Sequence, residues 1–231
     1  MEAFEGELGD PSSGVVAEPR DAGETTLLAF GGIRGGLGIP PYEFLRVTEG
    51  LHVRRILVRD LDQVWYLRGI RSLGESVPAA AAALREEIGG RRLVTTGNSA
   101  GGFGAILYGS LLGAEEIHAF SAQTAIDRRH RLPWLDVRWA REMGRVRRLH
   151  ADPTLLDLRR FLLGDGVLRP VGSPATHLYV GGSHGRDARH ARHLAEVPGV
   201  EVHRYPGAGH RLVTDLRDRG QLASILRRAV G

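Results

Sequence analysis

Along this chain, short apolar runs alternate with stretches whose apolar positions recur at helical spacing. Thr25 to Phe30 is apolar enough for a strand buried on both faces, and it stops at Gly31-Gly32. Val53 to Val58, Arg91 to Thr96, Ile117 to Phe120, Thr176 to Val180 and Val200 to Tyr205 read as five further strands. Ser76 to Ile88 predicts a helix, with Ser76 as N-cap, Pro78 in the first turn, an alanine run and Gly89-Gly90 as the stop. Pro40-Pro41 can open a helix through Tyr42-Glu43-Phe44-Leu45; others follow Gly97, pass through Ala191 to Ala195, and run from Gly220 to Val230. Asp127 to Pro170 shows no strand and reads as helices. Strands alternating with helices predict an α/β fold: a mostly parallel sheet of about six strands flanked by helices, with a short helical cap. Residues 1–24 are acidic, with Pro and Gly scattered through them, and predict a partly disordered segment or one short edge strand around Val15. Residues 25–231 then form a single domain, with the cap inserted at about 127–170.

Composition narrows the class. With 42% hydrophobic and 25% charged residues, the 231-residue chain reads as an ordinary soluble domain. No apolar run approaches the roughly 20 residues that span a bilayer, and the acidic N-terminus is unlike a secretory signal. These features predict a cytoplasmic protein with no membrane partner. The absence of cysteine excludes disulfides, thiolate metal sites and a cysteine nucleophile. Lysine is also absent, so all 31 basic residues are arginine, and the net charge of +4 is too small to imply a nucleic-acid partner. Charge matters locally instead. Arg128, Arg129, Arg131, Arg138, Arg141, Arg145, Arg147 and Arg148 crowd the first half of the cap. They read either as a solvated helix face or as a basic surface that meets an anionic substrate or an acidic carrier protein. Trp134 and Trp139 would add apolar contact there.

The candidate chemistry begins at Gly97-Asn98-Ser99-Ala100-Gly101, where a strand turns sharply into a helix. Glycine two positions either side of Ser99 relieves the crowding of so tight a turn, which pushes the hydroxyl out above the strand end, at the positive end of the helix. The glycine-rich loop from Gly31 to Gly38 lacks the spacing and the lysine of a phosphate-binding loop, and also fails the dinucleotide fingerprint. Its better use is to aim a backbone N–H at a developing oxyanion. Arg59 to Tyr66 leaves another strand at its C-terminal edge, so Trp65 and Tyr66 either line a pocket or pack beneath the loop. His184, His190 and His193 offer a metal reading, His190 and His193 being three apart on a helix, but an arginine-rich soluble helix explains them with less. No metal or other cofactor is expected.

Taken together, Phe30-Gly31-Gly32, the serine elbow, an acid in a loop after a later strand, and Gly207-Ala208-Gly209-His210 after the last strand resemble the α/β-hydrolase superfamily. The resemblance covers Thr25 to Val230 and reaches no subfamily. It implies Ser99 as nucleophile, His210 as general base and Asp187 as the acid that orients it, with Asp127 as the alternative acid. It also implies an oxyanion hole from the amide of Ala100 with that of Gly32 or Ile33; the residues themselves, not the resemblance, offer Trp65, Tyr66 and Trp134 as candidate pocket residues. The expected activity is a serine hydrolase or acyltransferase acting on an ester, thioester or amide, its substrate a small molecule or an acyl group on a carrier. A non-hydrolytic homologue, an isomerase, cyclase or binding module, is the alternative. The sequence departs from the pattern in lacking a histidine before the oxyanion glycine and in missing the first strands of the full sheet.

Overall fold

The computed structural model describes residues 8–10, 12–33, 42–182 and 185–231. Its centre is a seven-stranded sheet: β1 (Val15–Ala17), β2 (Thr25–Phe30), β3 (Arg54–Val58), β4 (Arg92–Asn98), β5 (Glu116–Phe120), β6 (Ala175–Gly181) and β7 (Val200–Tyr205), in spatial order β1-β3-β2-β4-β5-β6-β7. All pairings are parallel except β1 with β3. The sheet thus has one strand more than the six expected. The addition is the short edge strand around Val15, which brings part of the N-terminal segment onto the domain.

Local sequence explains the helices that cover it. Helix α1 (Val77–Ile88) starts where Ser76 Oγ accepts the Ala79 amide and stops at Gly89 in a left-handed conformation. Helix α2 (Ala100–Leu112) follows the elbow and is buried from Ala100 through Leu111. It carries almost no polar side chain because it has no solvent face. The segment between β5 and β6 holds α3 (Arg128–Arg131), α4 (Ala140–Arg148) and α5 (Leu158–Leu162), and the C-terminal third holds α6 (Gly185–Leu194), α7 (Leu212–Asp218) and α8 (Gln221–Val230). None of the described helices is long and apolar enough to cross a membrane.

Two expectations change here. Pro40 and Pro41 lie outside the described residues, and Tyr42 to Leu45 form turns that lead into a short 3-10 helix at Arg46–Thr48, not an α-helix. Phe44 has φ 73°, which breaks a right-handed helix at that point. Helix α6 also begins earlier than the sequence suggests, so Asp187 sits in its first turn and not in the preceding loop.

One apolar cluster joins α1, α2 and α5 to one face of the sheet, and a second joins α7 and α8 to the other. Parallel register brings Phe30 at the end of β2 beside Gly97, and Asn98 beside Phe120. The loops at the C-terminal ends of β2, β4 and β5 therefore meet at one rim, where an open parallel sheet holds its ligands.

Candidate active site

Ser99 stands between β4 and α2 with φ 56° and ψ −114°, a conformation that costs a non-glycine residue on the order of 1–3 kcal/mol. Close packing enforces it. A Cβ at Gly97 would strike the Gly101 carbonyl, and one at Gly101 would strike the Phe30 carbonyl at the end of β2. The Ser99 amide donates to Phe120 O at 2.8 Å, tying the turn to β5, while the Ser99 carbonyl accepts from Phe103 as α2 begins. Ala100 is the first helical residue, so its N–H has no acceptor inside the helix.

Asp187 and His210 come together at the same rim. His210 Nδ1 lies 2.7 Å from Asp187 Oδ2, with Asp187 fully buried and the His210 side chain about 31% exposed. The alternative acid is engaged elsewhere: Asp127 caps α3 through the His130 amide and pairs with His130 Nδ1 at 2.8 Å.

Nothing in the residue pattern signals what stands behind that pair. Arg138, from the segment between α3 and α4, reaches in so that its NH1 donates to Asp187 Oδ1 at 2.8 Å and lies 3.3 Å from His210 Nδ1. Its Nε and NH2 grip Asp136 at 2.8 and 2.7 Å. Asp136 in turn meets His190 Nε2 at 3.0 Å, and His190 Nδ1 accepts the Thr124 amide at 3.1 Å. Acceptance at Nδ1 places the His190 proton on Nε2, facing Asp136. Burial works against the Asp136 carboxylate, yet its bonds from Arg138 and His190 outweigh burial and hold its carboxyl well below the usual range. Burial lowers the tendency of His190 to charge, with Asp136 opposing and the Arg138 charge adding to the effect. Burial likewise works against the Arg138 charge, but bonds to the two carboxylates hold its pKa above the usual value.

The loop that begins at Gly31-Gly32 has its own buried support. Gly32 N–H donates to Glu43 Oε2 at 2.9 Å, and Asn98 Nδ2, in the elbow, donates to Glu43 Oε1 at 2.8 Å. Glu43 is 2% exposed, and burial raises its pKa against the pull of those two bonds. Gly32 is therefore corrected as an oxyanion donor, because its N–H already points to Glu43; Ile33 remains beside it at the end of the described segment. Residues 34–41, which include the rest of the glycine loop, lie outside the described residues.

Trp65 and Tyr66 are also corrected. Both are completely buried, so neither lines an open pocket. Trp65 Nε1 donates to Gln123 Oε1 at 3.2 Å, and Tyr66 OH donates to Gly31 O at 2.6 Å, which fixes the start of the glycine loop after β2 from beneath. Their loop runs through left-handed backbone at Gln63, Trp65 and Tyr66, held by Asp60 Oδ2, which accepts the Val64 and Tyr66 amides at 2.6 and 3.1 Å. Phe30 meets Tyr66 edge-on at 5.1 Å, a contact worth about 0.5–1.5 kcal/mol beyond burial. Trp134 is half-buried and packs on His130, His190 and His193.

Of the histidines in the metal reading, His184 lies outside the described residues, His190 is used as above, and His193 bonds Asp157 at 2.6 Å. The arginine cluster divides. Arg131 is buried against the Arg138 carbonyl, Arg138 holds the two aspartates, Arg145 reaches the loop at Asp62, and Arg128, Arg129, Arg141, Arg147 and Arg148 are exposed.

A parallel sheet with a strained serine after its central strand, and an acid paired with a histidine beyond the last two strands, is the α/β-hydrolase fold. Solved structures bear out that class. The chain matches FphF, a fluorophosphonate-binding serine hydrolase of Staphylococcus aureus, with a TM-score of 0.60 at 12% identity, over 94% of this chain and 95% of that one. It matches the capsule O-acetyltransferase of Neisseria meningitidis serogroup A with a TM-score of 0.66 at 13% identity, over 92% and 90%. The thioesterase domain of NocB, from the nocardicin cluster, gives a TM-score of 0.56 at 19% identity, over 94% and 98%. At such identities the likeness is one of fold. No protein-family model matches the chain, and no curated protein sequence matches it either.

Proposed function

We propose that this protein is a serine hydrolase or acyltransferase that cleaves an ester, thioester or amide through an acyl-serine intermediate. The observation that carries the reading is the 2.7 Å pairing of His210 Nδ1 with buried Asp187, at the rim where the strained elbow presents Ser99. In this reading Ser99 Oγ attacks the acyl carbon while its proton passes to His210 Nε2. The carbon–leaving-group bond then breaks as His210 returns the proton to the leaving group. Asp187 keeps the other imidazole proton on Nδ1 and offsets the positive charge that develops. The Ala100 amide, at the positive end of α2, and the Ile33 amide would meet the oxyanion. Water or an alcohol or amine then attacks the acyl-serine, which gives hydrolysis or transfer by the same route.

The five exposed cap arginines favour an anionic or carrier-borne acyl substrate, since Arg138 of the same segment extends to the Asp187–His210 pair. The reading is tested with a fluorophosphonate probe and an activated ester. Wild-type protein should be labelled and should turn over ester, and Ser99→Ala should do neither while keeping its fold. Loss of such a nucleophile costs on the order of 10⁶ in rate. Equal labelling of a well-folded Ser99→Ala variant would remove Ser99 from the mechanism.

A further inference from the structure

Away from the catalytic rim, the edge of the sheet carries imidazoles in an arrangement that the acyl chemistry does not use. On β6 and β7, His177 lies directly opposite Glu201, and His203 lies opposite Tyr179. Residues two apart on a strand share a face, so His177, Tyr179, Glu201 and His203 project to the same side of the sheet. His177 Nδ1 is 3.1 Å from His203 Nε2, and Glu201 Oε2 is 3.5 Å from the first and 3.7 Å from the second. A point equidistant from these three atoms lies about 2.0 Å from each, the ordinary length of a zinc–imidazole or zinc–carboxylate bond.

A plain hydrogen-bond ladder accounts for less of this. One proton shared between the two imidazoles would explain their separation, but it leaves the carboxylate at distances too long for a good hydrogen bond to either ring. A shared cation explains all three distances. Each ring is also held by a neighbouring ring, and both supports lead back to Tyr179. His177 stacks on His118 at 5.0 Å, and His203 stacks on Tyr179 at 4.7 Å. His118 is in turn fixed by Tyr179 OH at 2.9 Å and by Glu116 at 3.0 Å. Supports of this kind orient metal ligands before the ion arrives.

We infer that His177, His203 and Glu201 form a binding site for a divalent ion of the zinc type, clamping edge strand β7 to β6. Two imidazoles and one carboxylate suit zinc and its neighbours over magnesium or calcium. Three protein ligands leave a position for water. Binding needs no redox step; it displaces whatever proton the facing nitrogens share and releases it to solvent.

The test uses the full chain, freed of metal by chelation, titrated with zinc by calorimetry and with cobalt by visible absorption. Wild-type protein should take one zinc at this site, and cobalt should develop the intense visible bands of a low-coordinate nitrogen and oxygen site. His177→Ala with His203→Ala should weaken zinc binding by about a hundredfold or more and abolish the cobalt bands, and Glu201→Gln should weaken binding by about tenfold or more. His193→Ala, in the separate cluster with His130 and Asp157, should leave both unchanged. Absence of zinc binding to the wild type would overturn the inference and leave an imidazole ladder only. Binding that survives the double substitution, or that disappears with His193→Ala, would overturn it too. The partly exposed positions of His177 and His203 make the double variant compatible with folding, and the wild-type cobalt spectrum reads out the ligands without any substitution.

Discussion

Replacing Asp187 by asparagine should be unusually harmful here, because Arg138 decides which way the new amide faces. Arg138 NH1 donates to Asp187 Oδ1 and His210 Nδ1 meets Oδ2. The substituted carboxamide has one acceptor and one donor group for those two neighbours, and the guanidinium can only donate. Turning the amide carbonyl toward His210 would lose a charge-assisted bond worth about 1.5–3 kcal/mol and set two donors face to face. The carbonyl therefore stays on Arg138 and the NH2 group faces His210 Nδ1. That moves the imidazole proton to Nε2, where the serine proton must go. A bias of that size is roughly tenfold to a hundredfold in favour of the unproductive tautomer. Asp187→Asn alone should lower kcat/KM for an activated ester by up to about 10⁴. Adding Arg138→Met removes the constraint, lets the amide turn, and should recover roughly tenfold or more relative to Asp187→Asn. Arg138→Met in the native background should lower the rate, so the two substitutions are expected to compensate and not to add. The assay is steady-state kinetics corrected for folded fraction by circular dichroism, since Asp136 loses a buried partner in both Arg138 variants. A double variant no faster than Asp187→Asn would refute the reasoning.

Three further outcomes follow from the same geometry. Glu43→Ala leaves the Gly32 amide and Asn98 Nδ2 without their acceptor, at about 1–3 kcal/mol each; Glu43→Gln should cost far less in denaturant melts, because Asn98 Oδ1, which has no partner among the described residues, can turn to accept from the new amide. Asp60, whose pKa burial pushes up to about 6 against its bonds from the Tyr66 and Val64 amides, binds its proton more tightly folded than unfolded. Its contribution to stability is thus present below its ordinary value of 3.8 and falls away as pH rises to about 6, a loss of at most about 3 kcal/mol, and Asp60→Asn should flatten the thermal midpoint across that window relative to wild type. For matched neutral and anionic esters, kcat/KM should fall with ionic strength for the anionic one alone as the Debye length drops below roughly 10 Å above 0.1 M; equal slopes would leave the cap arginines as solvated surface.

What was legible in the sequence is what depends on near neighbours. The elbow can be read because the steric demand that selects Gly97 and Gly101 acts within two residues of Ser99. The sheet can be read because β2 to β6 carry apolar runs bounded by glycine, proline or polar loops and β7 alternates valine with polar residues, whereas β1 is three residues long and its pattern supports an edge strand around Val15 no better than disorder. Arg138 was hidden among seven other arginines, and its partner Asp187 is 49 positions away. Glu43 looked like one more polar residue in a helix that does not form, and its bond to Asn98 spans 55 positions. Trp65 and Tyr66 were ambiguous for a related reason. Aromatic residues after a strand suit a pocket or a buried brace equally well, and the left-handed backbone that turns both inward leaves no mark in residue type.

The two margins of the sheet have different defences against unwanted pairing. At one margin β3 carries Ile56, Leu57 and Val58, and among the described residues the strand laid along it is the three-residue β1, with Val15 against Val58 and Ala17 against Ile56. At the other margin β7 is polar and partly exposed, with Glu201, His203 and Arg204 along it. A shortened protein beginning after Ala17 would uncover an apolar rim of free amides and carbonyls, which is a template for edge-to-edge association. Such a protein is expected to self-associate through β3, while one that keeps Asp10 to Ala17 keeps that rim closed.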